Sequence, residues 1–278
     1  MLLSNTRAPT SPGRSFTKMT PNQMKIKFAA QEPAFGLSIM FPSPQMVEMA
    51  AGLGFDWVLI DCEHGSISLE SVEHLIMAAQ AAGLTPIVRP PSKAPREIHQ
   101  VMDLGAMGVQ VPHVITADDA RGAVAAVKYH PQGTRTMAAG IRAQGYGLAM
   151  NSDDYIETAN RETLVCVQIE DAEALENVDE ILKIEGIDVF FIGPSDLSQS
   201  MGYPGNPKAE PVAKAIDETL AKIVAAGHTP GMPASTDAVQ SVTGKGVRYI
   251  YTHIPKLLTT AAGSYFDAAR GSTDEQPQ

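Results

Sequence analysis

Apolar residues in this chain fall into short, near-continuous runs, separated by longer stretches in which they recur every three or four positions. The runs are 35–40 (FGLSIM), 57–62 (WVLIDC), 85–90 (TPIVRP), 108–114 (GVQVPHV), 164–170 (LVCVQIE), 188–194 (DVFFIGP), 229–234 (TPGMPA) and 248–253 (RYIYTH). Runs of this length without strict alternation predict parallel strands covered on both faces. The intervening stretches carry helix punctuation. In 68–83, Ser68 is a plausible N-cap, Leu69, Val72, Leu75, Ile76 and Ala79 share one face, and Gly83 closes the segment. Segments 172–186 and 211–227 also end in glycine, and a last helical segment, 255–270, follows the eighth run.

Strands and helices alternating in this way predict an α/β fold, a (β/α)8 TIM barrel. A doubly wound open sheet is the other candidate, but no GxGxxG turn follows the first strand. One stretch, 130–155, is glycine-rich and holds no strand. Between the fourth and fifth strands, it is expected as a long substrate-facing connection on the catalytic face.

The ends differ from this middle. Residues 1–30 carry basic, Ser and Thr residues, no acid and interrupting prolines at 9, 12 and 21. They are expected to form a flexible tail, with a transit peptide as the alternative reading. The expected organisation is a tail over 1–30, a single barrel over 31–270 and a disordered tail over 271–278. The formal net charge of −10, with no basic cluster against it, argues against a nucleic-acid partner. No apolar stretch is long enough to span a membrane. Cys62 and Cys166 sit inside apolar runs and read as small buried hydrophobes in a reducing compartment, so a cytoplasmic location is expected, with mitochondrial import left open.

In a barrel of this type the C-terminal ends of the strands form the active-site mouth. Asp61, Glu63 and His64 end the second strand, Arg89 the third, His113 the fourth, Gln168 and Glu170 the fifth, and Asp196 the sixth. Glu170 and Asp196 offer hard oxygen ligands with no cysteine or paired histidine nearby, which suits Mg2+ or Mn2+ better than a closed zinc site. Such a cation polarises an oxoacid carbonyl, Arg89 supports the oxygen that gains charge, and His64 has the intrinsic pKa for proton transfer. The Ser195 N–H, in the GPSD turn, can meet a carboxylate. Plainer roles stand beside these. Glu63 can pair with a rim arginine, His113 can be a packed rim histidine, and Glu170 and Asp196 can form an ion pair with Arg89. His74 and His99 read as helix-surface residues.

The ordered set DCEHG, VRPP, QIED and FIGPSDLS resembles the HpcH/HpaI family of metal-dependent class II pyruvate aldolases, over roughly residues 33–270. The resemblance implies Glu170 and Asp196 as metal ligands, with Mg2+ or Mn2+ foremost and Co2+ or Zn2+ as further options. It implies Arg89 at the pyruvyl oxygen, His64 in proton transfer with Asp61 beside it, Gln168 in the pocket and the Ser195 N–H at the substrate carboxylate. Asp103 matches an acid that pairs with the catalytic histidine of a neighbouring subunit. The family's assembly, a hexamer built as a dimer of trimers with the last helix exchanged, is implied in the same way. Thr136 departs from the Arg-Gly common in the loop after strand four, on the acceptor side. The expected activity is reversible cleavage of a 4-hydroxy-2-oxoacid to pyruvate and an aldehyde. Alternatives are oxaloacetate decarboxylation with carbon–carbon bond formation, as in the macrophomate synthase branch, and a non-catalytic oxoacid-binding barrel.

Overall fold

The computed structural model describes residues 19–148 and 150–270. The leader before residue 19 and the tail after 270, including the transit-peptide alternative, lie outside the described residues. Eight parallel strands close into a barrel in chain order: β1 Ala34–Ile39, β2 Trp57–Asp61, β3 Thr85–Arg89, β4 Gly108–Val111, β5 Leu164–Ile169, β6 Val189–Ile192, β7 Pro230–Pro233 and β8 Tyr249–His253. Each falls within one of the predicted runs or overlaps it to within a residue or two.

The two-residue period of the strands sorts their side chains into two cores. Ile39, Val58, Ile60, Val88, Val109, Val165 and Val167 face outward and pack on the helices. Trp57, Leu59, Ile87, Leu164, Cys166, Val189, Phe191, Tyr249 and Tyr251 fill the interior. Gly36 makes that filling possible, because a Cβ there would lie 2.3 Å from the Trp57 ring. The helix Leu69–Ala81 starts as read, with the Ser68 side chain accepting the Ser71 N–H. The segment 172–186 breaks into Ala172–Glu176 and Val178–Ile181, with Asn177 between them donating its side-chain amide to Ile115 O at 3.1 Å.

Two expectations are corrected. The tail does not extend to residue 30: Gln23–Ala29 is a helix that plugs the N-terminal end of the barrel, with Met24 and Phe28 buried against the interior aromatics. Their i, i+4 spacing gives the basic segment an apolar face. Asn22 fixes the plug by donating its side-chain amide to Met107 O and Glu162 O.

The stretch 130–155 is not a connection on the catalytic face of its own barrel. The helix Ala117–Val127, opened by a Thr116–Asp119 capping box, returns the chain to the N-terminal end first. There Arg142, Ala143, Gly145 and Tyr146 line a cavity of about 360 Å³ with Pro21, Gly83 and Gly105.

Asp103, the last residue of helix Pro95–Asp103, lies at the same end and pairs with buried Arg135 at 2.6 Å. It is therefore remote from His64 of its own chain.

The final helix, Ile254–Arg270, buries only Ile254 and leaves Leu258, Tyr265 and Phe266 half-exposed or more. No helix among the described residues is long and apolar enough to cross a membrane.

Candidate active site

The mouth is organised around the tops of β2 and β3. Asp61 and Arg89 are register partners, so their side chains share a face of the sheet. Arg89 Nε donates to Asp61 Oδ1 at 2.9 Å and Nη2 to Oδ2 at 2.6 Å, a bidentate pair with both side chains almost wholly buried. Asp61 Oδ1 also accepts the N–H groups of Glu63 and His64, which shapes the turn presenting those two residues. Burial works against both charges, but the pairing outweighs it: the Asp61 carboxyl is held below its ordinary range and the Arg89 guanidinium above its own.

Below the mouth a chain of hydrogen bonds crosses the barrel interior. Tyr249 Oη donates to Gln110 Oε1 at 2.8 Å, Gln110 Nε2 donates to Gln168 Oε1, and Gln168 Nε2 donates to Glu170 Oε2 at 2.5 Å. Arg89 Nη1 reaches Gln168 Oε1 at 3.4 Å, tying the ion pair to the same chain. Gln168 thus links the guanidinium to a carboxylate that is 1% exposed.

Glu170 is set by its neighbours. Its Oε1 accepts the His113 N–H at 2.9 Å. That bond requires His113 to adopt φ +51, a left-handed conformation uncommon for residues other than glycine. Gly193, at the top of β6, leaves room for the carboxylate: a Cβ there would stand 2.6 Å from Glu170 Oε2. Burial, with Glu63 and Asp196 adding repulsion, pushes the Glu170 carboxyl up to about 7 against the pull of the His113 N–H and ring. Burial also raises Glu63, although Arg89, His64 and His113 oppose it.

These acids fit a cation. Ligand atoms of Glu63, His113 and Glu170 lie within 4.8 Å of one another. Glu63 Oε2 is buried without a hydrogen bond, since Arg89 Nη1 at 3.2 Å is close but off line. Carboxylates crowded together, one raised and one unpartnered, are relieved by a positive ion. Asp196, in the first turn of helix Pro194–Ser200, acts on Glu170 electrostatically but stands outside that three-residue cluster. Ser195 is the second residue of that helix, so its N–H has no intrahelical acceptor and stays available at the mouth.

The structure therefore brings Asp61, Arg89, Gln168 and Glu170 into one bonded network, with His64, Ser195 and Asp196 on its rim. Of the plainer readings, Glu63 does sit against Arg89, while Glu170 bonds Gln168 and His113 instead of the arginine. Glu63 and His113 enter the candidate ligand set, which the spacing alone did not suggest. The signal was present in the position of both at strand ends, but not in any residue pattern that ties them to Glu170.

Residues 35–246 match the HpcH/HpaI aldolase/citrate lyase family. The chain belongs to this family. A 4-hydroxy-2-oxo-heptane-1,7-dioate aldolase of Shigella sonnei is 41% identical over 216 residues, covering 76% of this chain and 80% of the relative. Among solved structures, an HpcH/HpaI aldolase/citrate lyase family protein from Burkholderia cenocepacia superposes with TM-score 0.84 at 31% identity, covering 90% of this chain and 100% of that one. Macrophomate synthase superposes with TM-score 0.76 at 26% identity, covering 91% and 90%. As an HpcH/HpaI protein, the chain carries at its barrel mouth the acidic cluster and locked arginine described above.

Proposed function

We propose that this HpcH/HpaI protein is a carbon–carbon lyase that reversibly cleaves a 4-hydroxy-2-oxoacid to pyruvate and an aldehyde. The observation that carries the reading is the Arg89 guanidinium, fixed by Asp61 and facing the Glu63–His113–Glu170 cluster across Gln168. The 41% identical relative is named for cleavage of such a compound, the 1,7-dioate. Glu170 and Asp196 would hold a divalent cation, Mg2+ or Mn2+ by the oxygen character of the donors, with Glu63 and His113 adjacent. When bound, that ion supplies Lewis acidity to the oxo group of the substrate.

The remaining work belongs to the chain. The Ser195 N–H meets the substrate carboxylate, and Arg89 supports the oxo oxygen as it gains charge. His64 takes the proton of the 4-hydroxyl as the C3–C4 bond breaks; the bonding pair moves into the C2–C3 enolate, and the aldehyde leaves. Protonation at C3 then gives pyruvate. Because the guanidinium is already held by two bonds, little reorganisation is needed as charge develops. The second reading, oxaloacetate decarboxylation through the same enolate, is favoured by the similarity to macrophomate synthase.

We also propose a homo-oligomer, a hexamer by family resemblance. The exposed apolar face of Ile254–Arg270 and an uncovered cavity of about 350 Å³ lined by Phe35, Phe55, Ile250 and Leu257 support exchange of the last helix. Asp103, at the end away from the mouth, would then pair with the His64 of another subunit, as the family resemblance implies. The deciding experiment is exchange of the pyruvate methyl protons in D2O, followed by NMR, with metal-stripped and Mg2+- or Mn2+-loaded protein. Cation-dependent exchange supports the reading. Its absence with every metal, together with carbon dioxide release from oxaloacetate, selects the decarboxylase instead.

A further inference from the structure

One charged residue behind Asp103, at the end of the barrel away from the mouth, has no part in the proposed chemistry. After the helix Ala117–Val127 the chain doubles back on that helix: the Thr134 N–H donates to Ala125 O at 2.8 Å and the Arg135 N–H to Lys128 O at 3.0 Å. Gly133 makes the reversal possible, because a Cβ there would lie 2.3 Å from Lys128 O. The turn sends the Arg135 side chain inward. It is 0% exposed, and its guanidinium lies over the Tyr129 ring, 4.6 Å from the centroid. Nη2 donates to Asp103 Oδ1 at 2.6 Å. Nε and Nη1 are buried with no hydrogen-bond partner among the described residues, and the same holds for Nε2 of His99, one turn before Asp103 on its helix.

Stability does not account for this arrangement. A guanidinium taken out of water with two of its three nitrogens unpaired costs more than one ion pair returns. Asp103 is 29% exposed and can be hydrated without its partner, so an apolar side chain at 135 should fold about as well. What the arginine does control is Asp103, the one carboxylate within ion-pair distance of it among the described residues. The other groups around the guanidinium do not compete. Burial, then Arg135 itself, hold the His99 imidazole below its ordinary range, and burial pushes the Tyr129 phenol up. Tyr155 packs edge-on against Tyr129, with centroids 5.8 Å apart, and backs the ring that carries the guanidinium. Asp103 is thus gripped from the inside through Oδ1, while its Oδ2 accepts no hydrogen bond among the described residues.

We propose that Arg135 is a positioning residue that acts between subunits, setting Asp103 so that its Oδ2 meets the imidazole of His64 of the partner subunit. Arg135 does not touch substrate and works through this one carboxylate. The inference rests on the aldolase reading and on the assembly proposed with it, and it adds the residue that fixes the pair across the interface.

The test follows cleavage of 4-hydroxy-2-oxo-heptane-1,7-dioate by wild type, Asp103→Asn, Arg135→Met and Arg135→Lys, with a thermal melt of each. Arg135→Met should lower kcat about ten-fold or more, leave KM within about two-fold, and melt at or above the wild-type temperature. Arg135→Lys keeps the charge without the fork and should fall between the two. The action between subunits is read by complementation. Assemblies containing both His64→Ala and Arg135→Met subunits, purified through a different tag on each, should cleave well above the mean of the two parents, because some sites then join an intact His64 to an intact Arg135. Activity no higher than that mean places the effect of Arg135 inside its own barrel and overturns the inference. So does wild-type kcat in Arg135→Met, or a loss that only follows a lowered melting temperature. Should Arg135→Met fail to fold, wild-type kcat in Arg135→Lys overturns it equally. Wild-type turnover in Asp103→Asn would show instead that the pairing beneath the inference is wrong, and a wild type that exchanges no pyruvate protons that the aldolase reading is.

Discussion

Arg89 and Asp61 stand at matched positions at the tops of neighbouring strands, and the guanidinium closes two in-plane bonds on one carboxylate, at 2.9 and 2.6 Å. A pair this dry is costly to break from one side. Arg89→Ala should therefore cost about 3–5 kcal/mol of stability by stranding the Asp61 carboxylate, in addition to abolishing turnover. Arg89→Lys keeps a charge but loses the fork, and should lower kcat/KM about a hundred-fold or more with a smaller loss of stability. Denaturant melts run beside pyruvate exchange separate the two effects; an Arg89→Ala protein as stable as wild type contradicts the buried-pair account.

His64 offers the opposite case. Its side chain is 49% exposed, and its contact with Glu63 Oε2 is a loose 3.6 Å. His64→Ala should shift stability by no more than about 0.5 kcal/mol while removing most turnover. Activity near wild type in that variant takes His64 out of the mechanism.

The Glu170 carboxyl provides a pH signature. Burial pushes it up to about 7 in the folded protein, against 4.5 for an ordinary glutamate. The native state thus binds more protons than the unfolded chain across that interval, and metal-free protein should lose stability as pH rises from about 4.5 to about 7. A cation competes with that proton. Added Mn2+ should raise the melting temperature more at about pH 8 than at about pH 5.5. A metal-induced shift that does not depend on pH argues against Glu170 as a ligand.

Gly193 tests the same site without touching a titratable group. Its backbone is ordinary, with φ −95, so alanine is conformationally acceptable, but the new Cβ would displace the Glu170 carboxylate. Gly193→Ala should fold and should weaken Mn2+ binding at least ten-fold, as loss of ligand positioning typically does. Calorimetric titration of the metal reads this directly.

Phe28 checks where the folded unit begins. It is 7% exposed at the floor of the barrel, 6.5 Å from the Tyr249 ring. Phe28→Ala should cost about 3–5 kcal/mol. A change below about 0.5 kcal/mol would mean that the helix Gln23–Ala29 does not share the cooperative core.

Much of this architecture was legible in the chain. The eight apolar runs became eight strands because parallel strands buried on both faces need residues such as those of WVLID and VFFI, and Ser68 opened its helix because a hydroxyl there satisfies an orphan N–H. The placement of Arg89 and of the acids at the strand ends followed from the barrel topology, whereas the Asp61–Arg89 pairing did not, because it depends on the register of β2 against β3. What escaped has physical causes. The plug helix Gln23–Ala29 is held by two apolar side chains and by Asn22, whose partners Met107 and Glu162 are far away in sequence. The glycine-rich stretch was misplaced because Ala117–Val127, made largely of small residues, gave a weak periodic signal, and one helix decides which end of a barrel a loop occupies. The nearness of Glu63 and His113 to Glu170 depends on a left-handed His113, which local sequence does not announce.

The bonded line from Tyr249 through Gln110 and Gln168 to Glu170 has a consequence for anyone altering this protein. Tyr249 packs against Trp57 with the two rings tilted by 39°, and both belong to the aromatic floor that the plug helix seals. Substitutions chosen only to harden that floor will therefore not be silent at the rim. Small rotations of the phenol are relayed through two amides to the Glu170 carboxylate, the proposed cation ligand, so a library built for heat tolerance should be screened for metal dependence from its first round.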